Sequence, residues 1–422
     1  MITQWAKAAF LSSLDGLAGG RLRVKCPDRT YQFGGAGGLD ATLTVHDDRF
    51  FRRALTGSDI GIGESFMDGE WTTPDLVPLA RLMLRNRRLL DGQSRVTGAL
   101  HRLAGAVARR LRDNSLDGSR RHIHRHYDLG NDFFRLFLDR DLLMYSCGHF
   151  RSPADSLEAA QAQKVDGICR KLALEPTDRV LEIGSGWGGF AVWASTHYGC
   201  QVTTTTISDE QYQHVQEWRA RIGEAGSRID VLRADYRELT GRFDKVVSIE
   251  MFEAVGLDHY DEYFTAVDRL LEPDGLMLLQ TITVDDQWFP HYHGTPDWIE
   301  KYIFPGGELA AVGEILQSLA RRTSLSMYHA ENYGTHYART LHAWRGRFHE
   351  HLEGVRALGF DNRFIRMWDL YLASCEAAFL ERHTGLFQML LLKNGSRRTL
   401  FNEPAADTAR RSRAGAASGS AA

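Results

Sequence analysis

Residues 179–189 read RVLEIGSGWGG: an apolar segment runs into a loop carrying Gly184, Gly186, Gly188 and Gly189, and a helical pattern follows. Without β-carbons the backbone can turn sharply there and let a ligand come close to amide groups at a helix N-terminus. Such a loop suits a dinucleotide, a phosphate or S-adenosylmethionine, and by itself does not choose among them.

Three features separate these ligands. Glu182 lies two residues before the first glycine, placed to accept hydrogen bonds from a cationic amino-acid headgroup and to repel a pyrophosphate. The acid that an NAD site carries about 20 residues further on is missing. The corresponding strand end reads TTTTIS, which leaves Thr206, Ser208 and Gln211 to hold a ribose. Asp235, followed by Tyr236, closes the next strand with an acid able to accept from an adenine amino group. With the turn-then-strand segment LLEPDGLMLL, similar to that of class I methyltransferases, these features favour S-adenosylmethionine over NAD.

The elements that must position these residues alternate. From Glu158 onward helical stretches alternate with RVLEI, QVTTTT, RIDVLRAD, FDKVVSIE and GLMLLQTIT, whose β-branched and apolar runs predict a parallel sheet covered on both faces. The site then lies at the strands' carboxyl ends. Ahead of this, from Gly20 to Trp71, RLRVKCPD, YQFGGAGG, ATLTVHDD and GSDIGIGESFMDGEW read as short strands and glycine-punctuated turns of a smaller mixed domain. Between Arg81 and Arg112 nine arginines face one acid, Asp91, and Leu100, Leu103, Val107 and Leu111 recur at helical spacing beside Arg102, Arg109 and Arg110. This predicts an amphipathic basic helix, either packed on a neighbouring domain or drawn to anionic headgroups.

The expected organisation is therefore residues 1–112 as a lipid- or membrane-associating α+β domain ending in a basic helical linker, 113–401 as a Rossmann-like α/β catalytic domain, and 402–422 as a disordered tail. A chain of 422 residues, 43% of them hydrophobic, can bury the cores that this requires. The net charge of -3 gives no overall attraction to polyanions, and no nucleic-acid partner is expected. Five cysteines without a C-x-x-C pair fit a reducing cytoplasm. No apolar run approaches the roughly 20 residues that span a bilayer, so a membrane would be met from its surface. His122, His124 and His126 alternate, but Arg120, Arg121 and Arg125 among them would repel a cation, and no metal is expected.

HYDLGNDFFRLFLDRDLLMYSCGHF, SIEMFEAVG, WIEKYIFPGG, YARTLHAW and YLASCEAAFLERHTGLFQML, in this order from about His126 to Leu392, resemble cyclopropane-fatty-acid synthases and mycolic acid cyclopropane synthases. The resemblance implies an enzyme that moves a methylene from S-adenosylmethionine to the cis double bond of an unsaturated phospholipid acyl chain. It implies work at the inner membrane surface from the cytoplasmic side, and leaves homodimerisation open. For the cofactor it adds Tyr145 and Ser146 to Glu182, Gly184, Gly186, Gly188, Thr206, Ser208, Gln211, Asp235 and Tyr236. It also implies a bicarbonate ion beside the sulfonium methyl, held by Cys147, Glu253, the Ile282 backbone and Tyr337. Gln280 stands where the family has a histidine, and Ala254 follows Glu253 in place of another; Gln280 can donate to an anion but cannot titrate. Cys375 matches a cysteine suggested as catalytic, although Glu376 and Glu381 beside it would raise its pKa and a buried structural role carries more weight.

An isolated alkene is a poor nucleophile, so the methyl must be strongly electrophilic and the pocket dry. Attack leaves a carbocation, and loss of a methyl proton closes the ring. That path needs a base, apolar walls and π-electron density; Tyr302, Phe304, Tyr337 and Trp344 are candidates for the walls. Two other readings remain: a fatty-acid methyltransferase leaving a methylene or methyl branch, kept open by Gln280, and a non-catalytic lipid-binding protein. The second would be expected to lose Glu253, Tyr337 or the glycine loop, all present here.

Overall fold

The structure, a computed structural model, describes residues 2–87, 89, 129–293, 297–398 and 400. The expected basic helix beyond residue 89, the histidines at 122, 124 and 126 and the tail from residue 402 lie outside the described residues.

Among the described residues there are two sheets. The first has order β2-β1-β3-β4, built from β1 (Gly20–Lys25), β2 (Thr30–Gly34), β3 (Leu39–Val45) and β4 (Trp71–Thr72), with β1 antiparallel to β2 and parallel to β3. Helices α1 (Ile2–Ser13), α2 (Arg49–Met67) and α3 (Leu76–Arg85) accompany it. Alternation in β1 sends Leu22 and Val24 inward, where they join Phe50, Phe51 and Trp71 in one buried cluster.

The segment GSDIGIGESFMDGEW corrects the strand-and-turn expectation, because most of it is helical. Gly57, Gly61 and Gly63 do not end α2; the chain kinks at Ser58 (φ 52°) and continues. A Cβ on Gly63 would stand 2.2 Å from Trp298 Cδ1, so this glycine serves close helix packing instead of a turn.

The second sheet has order β11-β12-β9-β8-β5-β6-β7, with β10 (Ala310–Ala311) beside β9. Strands β5 (Arg179–Ile183), β6 (Gln201–Thr206), β7 (Ile229–Arg233), β8 (Phe243–Ile249) and β9 (Leu271–Val284) are parallel, as their apolar runs predict. Then β11 (Leu325–Asn332) and β12 (Thr384–Lys393) add an antiparallel edge, β12 running against β9. Flanking helices are α4 (Asn131–Arg135), α5 (Leu157–Lys171), α6 (Gly189–His197), α7 (Asp209–Arg221), α8 (Tyr260–Leu270), α9 (Trp298–Tyr302), α10 (Val312–Arg322), α11 (Gly334–Glu350) and α12 (Asn362–Leu380). Ser156, Ser208 and Asp361 cap α5, α7 and α12 through their side-chain oxygens, which fixes where these helices begin.

The first unit is pinned to the second by charge and by fit. Arg81 and Arg85 both reach Glu381 (2.6 and 2.7 Å), Glu64 accepts from Lys301 (2.6 Å) and Tyr302 (2.7 Å), and the Asp59 carboxylate accepts from the Trp298 amide (2.9 Å). Two of the nine arginines counted between Arg81 and Arg112 thus form ion pairs with Glu381. Arg87, a third, stacks on Trp288 at 3.8 Å.

Candidate active site

Strand β8 delivers two carboxylates to its carboxyl end. Glu250 follows the strand directly in a left-handed conformation (φ 51°), and Glu253 sits in a one-turn 3-10 helix, Phe252–Ala254. Glu250 Oε1 accepts from the Cys147 amide (2.9 Å) and the Gln280 side-chain amide (2.7 Å); its Oε2 accepts from the Tyr337 hydroxyl (2.6 Å). Glu253 Oε1 accepts from the Ile282 amide (2.6 Å) and the Thr281 hydroxyl (3.0 Å), while its Oε2 is buried without a hydrogen-bond partner among the described residues.

Both residues keep some accessible surface, yet enough protein surrounds them that burial raises both carboxyls. Glu253, with Glu250's charge as the next cause, is pushed up to about 8. Glu250's rise is opposed by its three donors and by the Lys164 ammonium, which makes it the member of the pair that ionises first.

Gln280 is fully buried, and its orientation is set from behind. Gln388 Nε2 donates to its carbonyl (2.8 Å), and Lys171 Nζ donates to the Gln388 carbonyl (2.6 Å). Lys164, also buried, donates to the Ser146 hydroxyl (2.7 Å); burial lowers its pKa to about 8 against the pull of Glu250 and Asp139.

The glycine loop abuts this pair. Gly184 and Ser185 donate to the Thr205 carbonyl at the end of β6 (3.1 and 2.8 Å), and a Cβ on Gly184 would meet Met251 Cγ at 2.8 Å. Gly186 (φ 48°) and Gly188 (φ 93°) are left-handed as well. A Cβ on Gly186 would point into open space, a backbone cradle of the kind a cofactor fills; one on Gly188 would meet Val215 at 3.0 Å. Glu182 is buried, accepts from the Thr204 hydroxyl (2.6 Å), and is pushed up to about 8 by burial, so a cation would stabilise its ionised form.

Other expected residues assemble less simply. Tyr145 shares a hydrogen bond with the Tyr371 hydroxyl (2.9 Å), and its ring lies against Trp344 (5.3 Å) and Phe304 (6.2 Å). Tyr337 stacks on Phe379 (4.5 Å). Tyr302 does not join this wall; it turns to Glu64 on α2. Thr206 donates to Gln211 (2.8 Å), while Ser208 accepts from the Gln211 amide as a helix cap. Asp235, read as an adenine acceptor, has its two oxygens taken by Arg237 (2.8 and 2.9 Å), and Tyr236 packs edge-on against Tyr263 (5.1 Å). Burial pushes the Cys375 thiol up to about 12, which leaves no thiolate nucleophile at neutral pH and favours the structural role; burial also raises the Cys147 thiol well above its ordinary value. No group of three His, Cys, Asp or Glu side chains among the described residues is placed to hold a metal ion.

Sequence reasoning missed Glu250, Lys164, Lys171 and Gln388. For Glu250 a signal existed, since SIEMFE places two acids three apart just beyond a buried strand.

A match to the mycolic acid cyclopropane synthetase family covers residues 114–389. The chain belongs to this family. It is accordingly an S-adenosylmethionine-dependent enzyme of the cyclopropane synthase type. A cyclopropane-fatty-acyl-phospholipid synthase of Escherichia coli is 38% identical over 367 residues, 86% of this chain and 91% of that protein. A tuberculostearic acid methyltransferase of Mycobacterium tuberculosis is 36% identical over 366 residues, 84% of each chain. Among solved structures, the cyclopropane synthase MmaA2 from Mycobacterium tuberculosis matches with a TM-score of 0.60 and 33% identity, covering 65% of this chain and 98% of that one. The expected Rossmann-like class I methyltransferase fold is thus the one observed.

Proposed function

We propose that this cyclopropane synthase family member adds a methylene, derived from the methyl of S-adenosylmethionine, across the cis double bond of an unsaturated phospholipid acyl chain. The observation that carries the reading is the Glu250–Glu253 pair at the carboxyl end of β8, set against the glycine loop and walled by Tyr145, Phe304, Tyr337 and Trp344. The similarity to the Escherichia coli synthase supports it over 86% of the chain.

S-adenosylmethionine supplies an electrophilic methyl on a positively charged sulfur. The protein's share is to admit it at Gly186, to place Glu182 near its cationic end, and to exclude water with the aromatic wall. Ring faces offer negative charge to the cation formed on the acyl chain. Ring closure also needs a proton acceptor beside the methyl.

Bicarbonate, expected from the resemblance, does not fit that place. The Cys147 amide, Gln280 and Tyr337 point at Glu250, and the Ile282 amide at Glu253, so the donors meant for the ion are taken and the Glu250 carboxylate would face it.

The second reading, a methylene- or methyl-branched product, is favoured by the tuberculostearic acid methyltransferase relative and by Gln280. Mass spectrometry of lipids from cells expressing the protein separates the two. Gain of one CH₂ with loss of the alkene is expected; gain of one CH₂ with an alkene retained, or of CH₂ and two further hydrogens, selects the second reading, and unaltered chains refute both.

We further propose that residues 1–112 bring the enzyme to the cytoplasmic face of the inner membrane, with 113–401 as the catalytic unit. No described helix is long and apolar enough to cross a membrane.

A further inference from the structure

We infer that Glu250 is the proton acceptor of this reaction, a carboxylate built into the chain where an exogenous anion would otherwise be required, so that the enzyme turns over without bicarbonate. The inference rests on the methylene-transfer reading above.

Its geometric basis is convergence. Three donors from three separate elements, the Cys147 amide, the Gln280 side chain on β9 and the Tyr337 hydroxyl on α11, meet on the two oxygens of one carboxylate. They come from the same residues that the resemblance places around a free anion, and here the anion is covalently part of the backbone corner after β8. That corner is costly: a glutamate at φ 51° crowds its own β-carbon, and such conformations persist where surrounding contacts enforce them, often at functional sites. Glycine would take the same corner without strain. The next residue, Met251, packs against the glycine loop at Gly184, which puts Glu250 beside the place the methyl must occupy. Gln280 cannot serve as base because an amide does not titrate near neutrality, and its oxygen is already turned to Gln388. Burial, by raising the Glu250 carboxyl, strengthens it as a base.

The step balances without any further reactant. The alkene's π pair bonds to the methyl carbon as the carbon–sulfur pair departs with sulfur, leaving a neutral thioether and a cation on the other alkene carbon. One methyl C–H pair then closes onto that carbon, and the released proton passes to a Glu250 oxygen. The sulfonium's positive charge thus ends as a proton on the carboxylate.

The test uses the purified full chain with vesicles of cis-unsaturated phospholipid and S-adenosylmethionine, in buffer stripped of carbon dioxide and with bicarbonate restored. Wild-type turnover is expected to be the same in both. Glu250→Gln, nearly identical in shape, should keep cofactor affinity and melting temperature while losing roughly 10²- to 10⁴-fold in kcat. Glu250→Gly frees the three donors around an anion-sized gap, and added formate or bicarbonate should restore part of its rate while leaving wild type unchanged. Wild-type turnover that collapses without carbon dioxide and returns with bicarbonate would overturn the inference, as would full activity in Glu250→Gln. Absence of any ring or branched product from wild type under both conditions would instead refute the underlying reaction.

Discussion

Gln388 donates its side-chain amide to the Gln280 carbonyl at 2.8 Å, and this bond decides which end of Gln280 faces Glu250. With its oxygen engaged behind, Gln280 must present N–H to the carboxylate (2.7 Å). Gln388 is itself oriented by Lys171, so a line of donors runs from a partly buried ammonium at the end of α5 to the charged centre.

Gln388→Met should release that orientation while keeping the volume. With Gln280 free to turn, Glu250 loses one donor to its ionised form, and its pKa rises further. Turnover should fall by about tenfold, the worth of one charge-assisted hydrogen bond, with cofactor affinity unchanged. The acid limb of the pH–rate profile should move to higher pH, because ionised Glu250 is then reached later. A merely structural role for Gln388 would lower the melting temperature and leave that limb in place.

The loop glycines should separate by what a side chain would meet. Valine at Gly186 projects into open space, so its steric cost falls on the cofactor, together with roughly 1–2 kcal/mol for the left-handed backbone. Valine at Gly188 bears the same backbone cost and also collides with Val215 on α7. Calorimetry and thermal melts on both variants should show Gly186→Val losing cofactor binding with the smaller drop in stability, and Gly188→Val melting lower. Equal cofactor affinity in Gly186→Val and wild type would remove this loop as the binding site.

The parallel sheet was legible because buried parallel strands carry near-continuous apolar runs, as GLMLL does, and the glycine loop because a close backbone approach tolerates no other residue. The antiparallel edge formed by β11 and β12 was not legible: MLLLK reads equally as a buried helix segment, and only pairing with β9 decides. Gly63 in GSDIGIGES misled in the same way, since its need arises from Trp298, more than 200 residues away in sequence. At the centre, Cys147, Gln280 and Tyr337 were found, but what they bind was not. Glu250 is one of many acids in the sequence, and its distinction lies in the three donors that folding brings to it.

Glu253 offers a test through stability, independent of turnover. Its carboxyl is pushed up to about 8, first by burial and then by Glu250's charge, whereas in the unfolded chain it titrates near the ordinary 4.5. Between these values the folded protein holds a proton that the unfolded chain has released. Rising pH therefore favours unfolding across that window: stability contributed by neutral Glu253 is present below about 4.5 and is lost progressively toward about 8, above which the dependence ends. Glu253→Gln keeps an oxygen for the Ile282 amide and the Thr281 hydroxyl but cannot ionise. Melting temperatures measured from pH 5 to pH 9 should therefore fall more steeply in wild type than in the variant, with the variant the more stable at the alkaline end. Parallel curves would show that Glu253 is already ionised in the folded protein at neutral pH, and that the two carboxylates share the site as a doubly charged pair.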